Sequence, residues 1–188
     1  ITYGDWSSDV CSSDLAAGTK GLMWFQTVPS EIAAGPERWQ AITDVNRVTA
    51  AIRPLLLEGD PTGTARTADP ALVEAIRSRD AIVVTVIGLS AWDQPTDIGC
   101  LQTYGDGPIP HWHLDWQNVS VDVDVPSDFT IAEVFEVRPD RTAAVPAASV
   151  SQRTVTLGGI ALDDRRAARV FVLARSPEVR ARVDAALP

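Results

Sequence analysis

The stretch VSVDVDV, residues 119–125, decides the fold. Val119, Val121, Val123 and Val125 alternate with Ser120, Asp122 and Asp124. A period of two sends the valines to one face and the polar side chains to the other, the pattern of a half-buried antiparallel strand. Pro126-Ser127-Asp128 ends it as a turn. Beyond that turn Phe129, Ile131, Phe135 and Val137 suggest a second strand, with Glu133 breaking the pattern, and Arg153–Leu157 and Ala168–Ala174 read as two more. Gly158-Gly159 reads as a turn that separates Leu157 from the short apolar piece Ile160–Leu162. Upstream, Leu72–Arg79 and Ala81–Leu89 form a hairpin turning near Ser78–Asp80. Several short strands between Pro, Asp and Gly turns predict an antiparallel β-sandwich over residues 71–188. It closes with a helix, with Ser176 at the N-cap, Pro177 in the first turn and Glu178 beside it.

Ahead of the sandwich, residues 61–70 read as a polar linker of Gly, Pro and Thr. Residues 16–60 hold one strand–loop–helix unit. Gly21–Phe25 is a short apolar run between Gly18 and Val28-Pro29-Ser30, as in a buried strand. Pro36 opens a helix on which Trp39, Ile42, Val45, Val48 or Thr49, Ile52 and Leu55 make one apolar face. Pro54 and then Gly59-Asp60-Pro61 end it. One strand and one helix normally belong to a larger sheet covered by helices, so further strands and helices are expected upstream of this unit.

Residues 1–15, ITYGDWSSDVCSSDL, differ from the rest. They lack apolar periodicity, and they have neither the basic start nor the apolar centre of a secretory signal. The string from Gly4 to Leu15 closely resembles the conceptual translation of a short-read sequencing-library adapter, of the kind that contaminates metagenomic assemblies. The first 15 residues are therefore read as a non-native tail and set aside from the fold. Without a native start, the compartment is not legible.

Composition bounds the function. The 188 residues are 45% hydrophobic and 22% charged, enough apolar surface to offset chain entropy. No run approaches the roughly 20 apolar residues of a membrane span. A net charge of −9 argues against a nucleic-acid binder that tracks phosphates. Two cysteines cannot build a disulfide framework or a four-thiolate zinc site.

Residues 90–118 form a long irregular segment carrying Trp92, Tyr104, Trp112 and Trp116, longer than ordinary connections and thus a candidate binding or interdomain surface. Within it, His111, His113 and Asp115 share one side if the chain is extended. They are read as a polar edge because no further histidine exists to complete a metal site. No metal and no cofactor is expected. Gly158-Gly159 lacks the context of a phosphate-binding loop, and no GxSxG elbow accompanies the serines. Asn118-Val119-Ser120 matches a glycosylation sequon without further support.

The order GLMWF strand, loop, helix of the form W-x-x-I-x-x-V-N-R, then an all-β domain resembles the C-terminal end of a (β/α)8-barrel glycoside hydrolase. The expected fold class is thus α+β: the last strand–helix unit of a TIM barrel, residues 16–60, followed by an antiparallel β-sandwich. The resemblance places Lys20–Gln26 as the eighth strand and Glu37–Leu56 as the eighth helix. It implies that Trp24 and Gln26 approach the barrel mouth, where an aromatic ring stacks on a sugar and an amide bonds its hydroxyls. Trp92 and Trp112 are further candidate carbohydrate-binding residues. The catalytic carboxyl pair would lie on earlier strands, so no catalytic residue is assigned here and the chain alone is expected to be inactive. Implied partners are carbohydrate, through the parent enzyme, and the missing N-terminal barrel half; neither nucleic acid nor membrane is expected. The helix face Trp39–Leu55 would dock on the barrel, or, in this chain alone, be partly uncovered or folded back on the sandwich. The alternative reading is a non-catalytic carbohydrate-binding or protein-interaction sandwich module.

Overall fold

The computed structural model describes residues 36–88, 116–145, 147–151, 153–163 and 166–188. In chain order they form helix α1 (Pro36–Glu58), strands β1 (Asp60–Thr62), β2 (Ala65–Arg66), β3 (Ala71–Arg77), β4 (Ala81–Gly88), β5 (Gln117–Asp124), β6 (Glu133–Val137), β7 (Thr142–Ala144), β8 (Ala147–Ser151), β9 (Thr154–Leu162) and β10 (Ala168–Ala174), and helix α2 (Pro177–Ala186). Six strands in the order β1-β3-β4-β10-β6-β7 make one sheet, and four in the order β2-β5-β9-β8 make the other. Every strand pairing is antiparallel. The architecture is α+β and sandwich-like, with two helices on the outer face of the larger sheet.

Alternation explains the layers. Ile82, Val84 and Val86 of β4, with Phe171 and Leu173 of β10, meet Val119, Val121, Val123, Val155 and Leu157 of the smaller sheet in one apolar core. The opposite side of the same strands carries Ala81, Val83, Val172 and Ala174, which pack with Phe135 against α1 and α2 in a second core. β4 is therefore buried along its whole length on both faces, which is why its sequence AIVVTVIG is nearly continuous in apolar residues. The β3–β4 hairpin turns at Ser78, whose hydroxyl accepts from the Ala81 amide at 3.1 Å.

Several expectations are corrected. Gly158-Gly159 is not a turn. β9 runs through it, and its buried side chains switch phase from Val155 and Leu157 to Ile160 and Leu162. The register against β5 slips between Val119 and Val121, and Gly159 has φ +68°. This is a β-bulge, where one extra residue swaps the inward face and glycine supplies the left-handed backbone. The expected polar linker contributes two edge strands, β1 and β2, paired with β3 and β5. Pro61 is tolerated there because an edge strand need not donate on both sides. Phe129 and Ile131 precede β6 rather than forming part of it. Helix α1 runs past Pro54 to Glu58. The hydrogen bond that Pro54 cannot donate is missing beside Ala50, on the exposed side, while Leu55 and Leu56 are buried and hold the last turn in place.

The apolar face of α1 lies against the sandwich's own sheet in its C-terminal half, through Ala51, Ile52, Leu55 and Leu56. Thus the helix is folded back on the sandwich, one of the two arrangements expected for the chain alone. α2 begins after Ser176, whose side chain makes no capping hydrogen bond to the helix backbone. Interaction with the nearby Ser176 hydroxyl is the main cause holding the exposed Glu178 carboxyl below its ordinary value.

Candidate functional site

Three features stand out around the larger sheet: a junction and a cleft on its helix-covered side, and a buried ion cluster on the side that faces the smaller sheet. The junction is Gly59, the single residue between α1 and β1. A Cβ at this position would collide with Cγ2 of Ile76 and come within 2.8 Å of the Leu55 carbonyl oxygen. The absence of a side chain is what lets the end of α1 press directly onto β3. The pairing Asp60↔Arg77 and Pro61↔Ile76 then begins at once. Helix and sheet are joined without slack.

The ion cluster is built on β6 and β10. Glu136 is 2% exposed and Arg169 9%, unusual positions for charges and tolerable only because each is paired. Arg169 Nε donates to one carboxylate oxygen of Glu136, and Arg138 Nε donates to the other at 2.9 Å. Arg169 Nη1 also donates to the Ala161 carbonyl at 2.8 Å, tying the cluster to β9 of the opposite sheet. Burial alone would raise the Glu136 carboxyl. The hydrogen bonds from Arg169 and Arg138, with their charges, outweigh it and hold the group below the usual carboxylate range. An acid kept ionised between two guanidiniums is suited to pinning sheets, not to donating a proton. Sequence reasoning singled out Glu133 in this strand and missed Glu136. Glu133 is half-buried and takes an ion pair from Arg180 of α2. The available signal was charge within two apolar runs whose strands pair, two glutamates in EVFEV and one arginine in ARVFVLA.

The cleft lies between the middle of α1 and the larger sheet. It encloses about 360 Å³. Val45, Val48 and Ile52 form its helix wall, and Val137, Ala168 and Val170 its sheet wall. Thr85 lies among its lining residues and the β6–β7 turn, Arg138–Arg141, and Arg166 border it. The volume lies within the range of small-molecule pockets, ~300–1,000 Å³.

Of the residues proposed from sequence, Trp24, Gln26, Trp92 and Trp112 all lie outside the described residues, as do Tyr104, His111 and His113. Trp116, from the same aromatic segment, is described. It stands just ahead of β5 and is 68% exposed. Asn118 and Ser120 follow at a spacing of two and are also exposed. Among the described residues no group of three or more His, Cys, Asp or Glu side chains could hold a metal ion, and no helix is long and apolar enough to cross a membrane. The chain matches no protein-family model and no curated protein sequence.

Proposed function

We propose that this chain is the C-terminal part of a carbohydrate-active (β/α)8-barrel enzyme, and that its sandwich is a non-catalytic brace for the barrel. The observation that carries the reading is the junction at Gly59. In this reading α1 is the last barrel helix. It continues into the sandwich through one residue and shares an apolar core with the larger sheet. A helix seated in that way would fix the orientation of everything upstream of it relative to the sandwich. The chemistry of Glu136 agrees with a structural role, because the most buried carboxylate of the described body is locked as an anion by two arginines. Glycoside hydrolysis needs two carboxyls that can divide acid and nucleophile roles, and in this reading they come from the upstream strands.

Two measurements test it. The native reading frame upstream of Ala16 should encode further alternating strands and helices with two strand-end acids. A frame that instead opens directly on this sequence refutes the proposal. The purified chain should also show no glycosidase turnover on a panel of aryl glycosides, and measurable turnover that co-purifies with it would overturn the inactive brace.

The exposure of Trp116 favours one second reading, a carbohydrate-binding face on the smaller sheet. A solvent-facing indole followed by Asn118 and Ser120 offers a stacking surface beside hydrogen-bonding groups. Saturable change in tryptophan fluorescence on titration with soluble glycans, abolished in Trp116→Ala, would support it. A flat titration would remove it.

A further inference from the structure

The sheet edges carry an inference that does not depend on the carbohydrate-active reading. An edge strand presents unpaired N–H and C=O groups, a template for another strand unless something blunts it. The described sheets have four such edges, β1, β7, β2 and β8, and three of them are blunted. β1 has three residues: Pro61 has no N–H to offer, and Asp60 is charged and exposed. β2 has two residues, and its Arg66 is paired with Asp124 of the adjoining strand. β7 has three, and α2 lies against it. The Thr142 amide donates to Asp184 Oδ1 at 3.2 Å, and the Thr142 hydroxyl donates to the same oxygen at 2.7 Å.

β8 is the exception. It runs five residues, AASVS, with no charge and no proline, and among the described residues it pairs only with β9. Alternate residues of an antiparallel strand turn their backbone groups away from the neighbour, so the outer side of β8 offers a row of donors and acceptors. Ala148, Ser149, Val150 and Ser151 are all exposed. The side chains add a second signal. Ala148 and Val150 stand opposite Leu157 and Val155, both wholly buried in the first core, so they share the inward face of the smaller sheet. Yet Val150 is 67% exposed. The inward apolar stripe thus runs on past the covered core and ends at an open edge.

We propose that β8 pairs with β8 of a second copy of this chain, antiparallel about a two-fold axis at Ser149, so that two four-stranded sheets become one. The strand is self-complementary in that register. Val150 of each copy meets Ala148 of the other, a large side chain against a small one, on the inward face. On the outward face Ser149 meets Ser149. No like charges are opposed, which matters between chains that each carry a net charge of −9. The pairing is isologous and uses the free edge of both copies, so it closes as a dimer. A five-residue edge spans about 17 Å. The contact therefore falls at the small end of specific interfaces, below ~1,200 Å², and the dimer is weak, with a dissociation constant of roughly 10–500 μM.

The test is sedimentation equilibrium of the full chain, under reducing conditions, over a concentration series that brackets that constant. Wild type should pass from monomer to dimer and no further, and hydrogen exchange of the β8 amides should slow as the dimer fills. Ser149→Lys, at an exposed position, sets two like charges face to face at the axis. It should weaken the dimer about tenfold at low salt while thermal unfolding remains cooperative. Ser149→Glu should do the same. An equimolar mixture of Ser149→Lys with Ser149→Glu should pair at least as tightly as wild type, because opposite charges then meet at the axis. Ala144→Lys, at the exposed end of β7, should leave the dimer unchanged. A wild-type chain that stays monomeric across the series overturns the proposal. So does association that Ser149→Lys leaves intact, growth beyond a dimer, or a mixture of the two charged variants that fails to pair.

Discussion

Substituting Gly59 by alanine tests the junction directly. The new methyl group would press on Cγ2 of Ile76, lie 2.8 Å from the Leu55 carbonyl oxygen and lie 3.3 Å from the Arg77 carbonyl carbon. Two of these three neighbours are backbone and cannot rotate away. The third belongs to a β-branched side chain, 2% exposed and held in the second core, so its χ1 is fixed by its surroundings. Overpacking of this kind costs about 1–3 kcal/mol. Restricting the unfolded chain at this position returns at most about 0.4–1 kcal/mol. The net expectation is a loss of about 1–2 kcal/mol. With a urea m-value of about 2 kcal/mol/M, the unfolding midpoint should fall by about 0.5–1 M with m unchanged. Ile76→Ala provides the control within a double-mutant cycle. It removes the side-chain collision and leaves the carbonyl contact, so Gly59→Ala should cost less in that background, by at least about 0.5 kcal/mol, without becoming neutral. Urea unfolding followed by far-ultraviolet circular dichroism reads all four corners. A midpoint for Gly59→Ala at or above wild type, or strict additivity with Ile76→Ala, would refute the idea that α1 is pressed onto β3 here.

Two further substitutions probe the sandwich. Glu136→Gln leaves Arg169 buried beside a neutral amide and should cost about 3 kcal/mol at neutral pH. The folded-state value of the Glu136 carboxyl lies below its ordinary one, so its contribution is present above the ordinary range near pH 4.3 and is lost as the pH falls through the folded value. Urea midpoints measured from pH 7 downward should therefore converge for wild type and Glu136→Gln in acid, and a constant gap would contradict the assignment. Gly159→Ala meets no atom within 4 Å yet must hold φ near +68°, so it should lose about 1–2 kcal/mol through backbone strain alone. The matched change Gly63→Ala, also in open space, should be nearly neutral in the same thermal-melt assay.

The elements that could be read from sequence were those long enough to show a period. The valines of β5 face inward as their alternation requires, and β10 occupies Ala168–Ala174 as read. The β3–β4 hairpin and the Pro-led start of both helices follow from local turn and capping chemistry. β1, β2 and β7 have two or three residues each, too few for a period, and exist because a longer neighbour offers an unpaired edge. The bulge at Gly158-Gly159 was hidden because a phase slip and a turn look alike in a line of text. The Glu136–Arg169 pair needs the pairing of β6 with β10, which brings together residues 33 apart in the chain. The cleft depends on how far α1 leans from the sheet, a tertiary quantity that no local pattern encodes. The aromatic candidates lie outside the described residues, and their roles rest on resemblance alone.

The strand order carries a consequence for biosynthesis. β10 is made after the other nine described strands, yet it lies between β4 and β6 in the interior of the larger sheet. Until it emerges from the ribosome, β4 and β6 have no neighbour to join them, and their apolar faces stay open to solvent. Closure of this sheet must then wait for β10, slow in the manner of non-local pairings, and exposed meanwhile to aggregation. A nascent chain stalled before Ala168 should be a client of chaperones, whereas one in which α2 has also cleared the ribosome should resist protease.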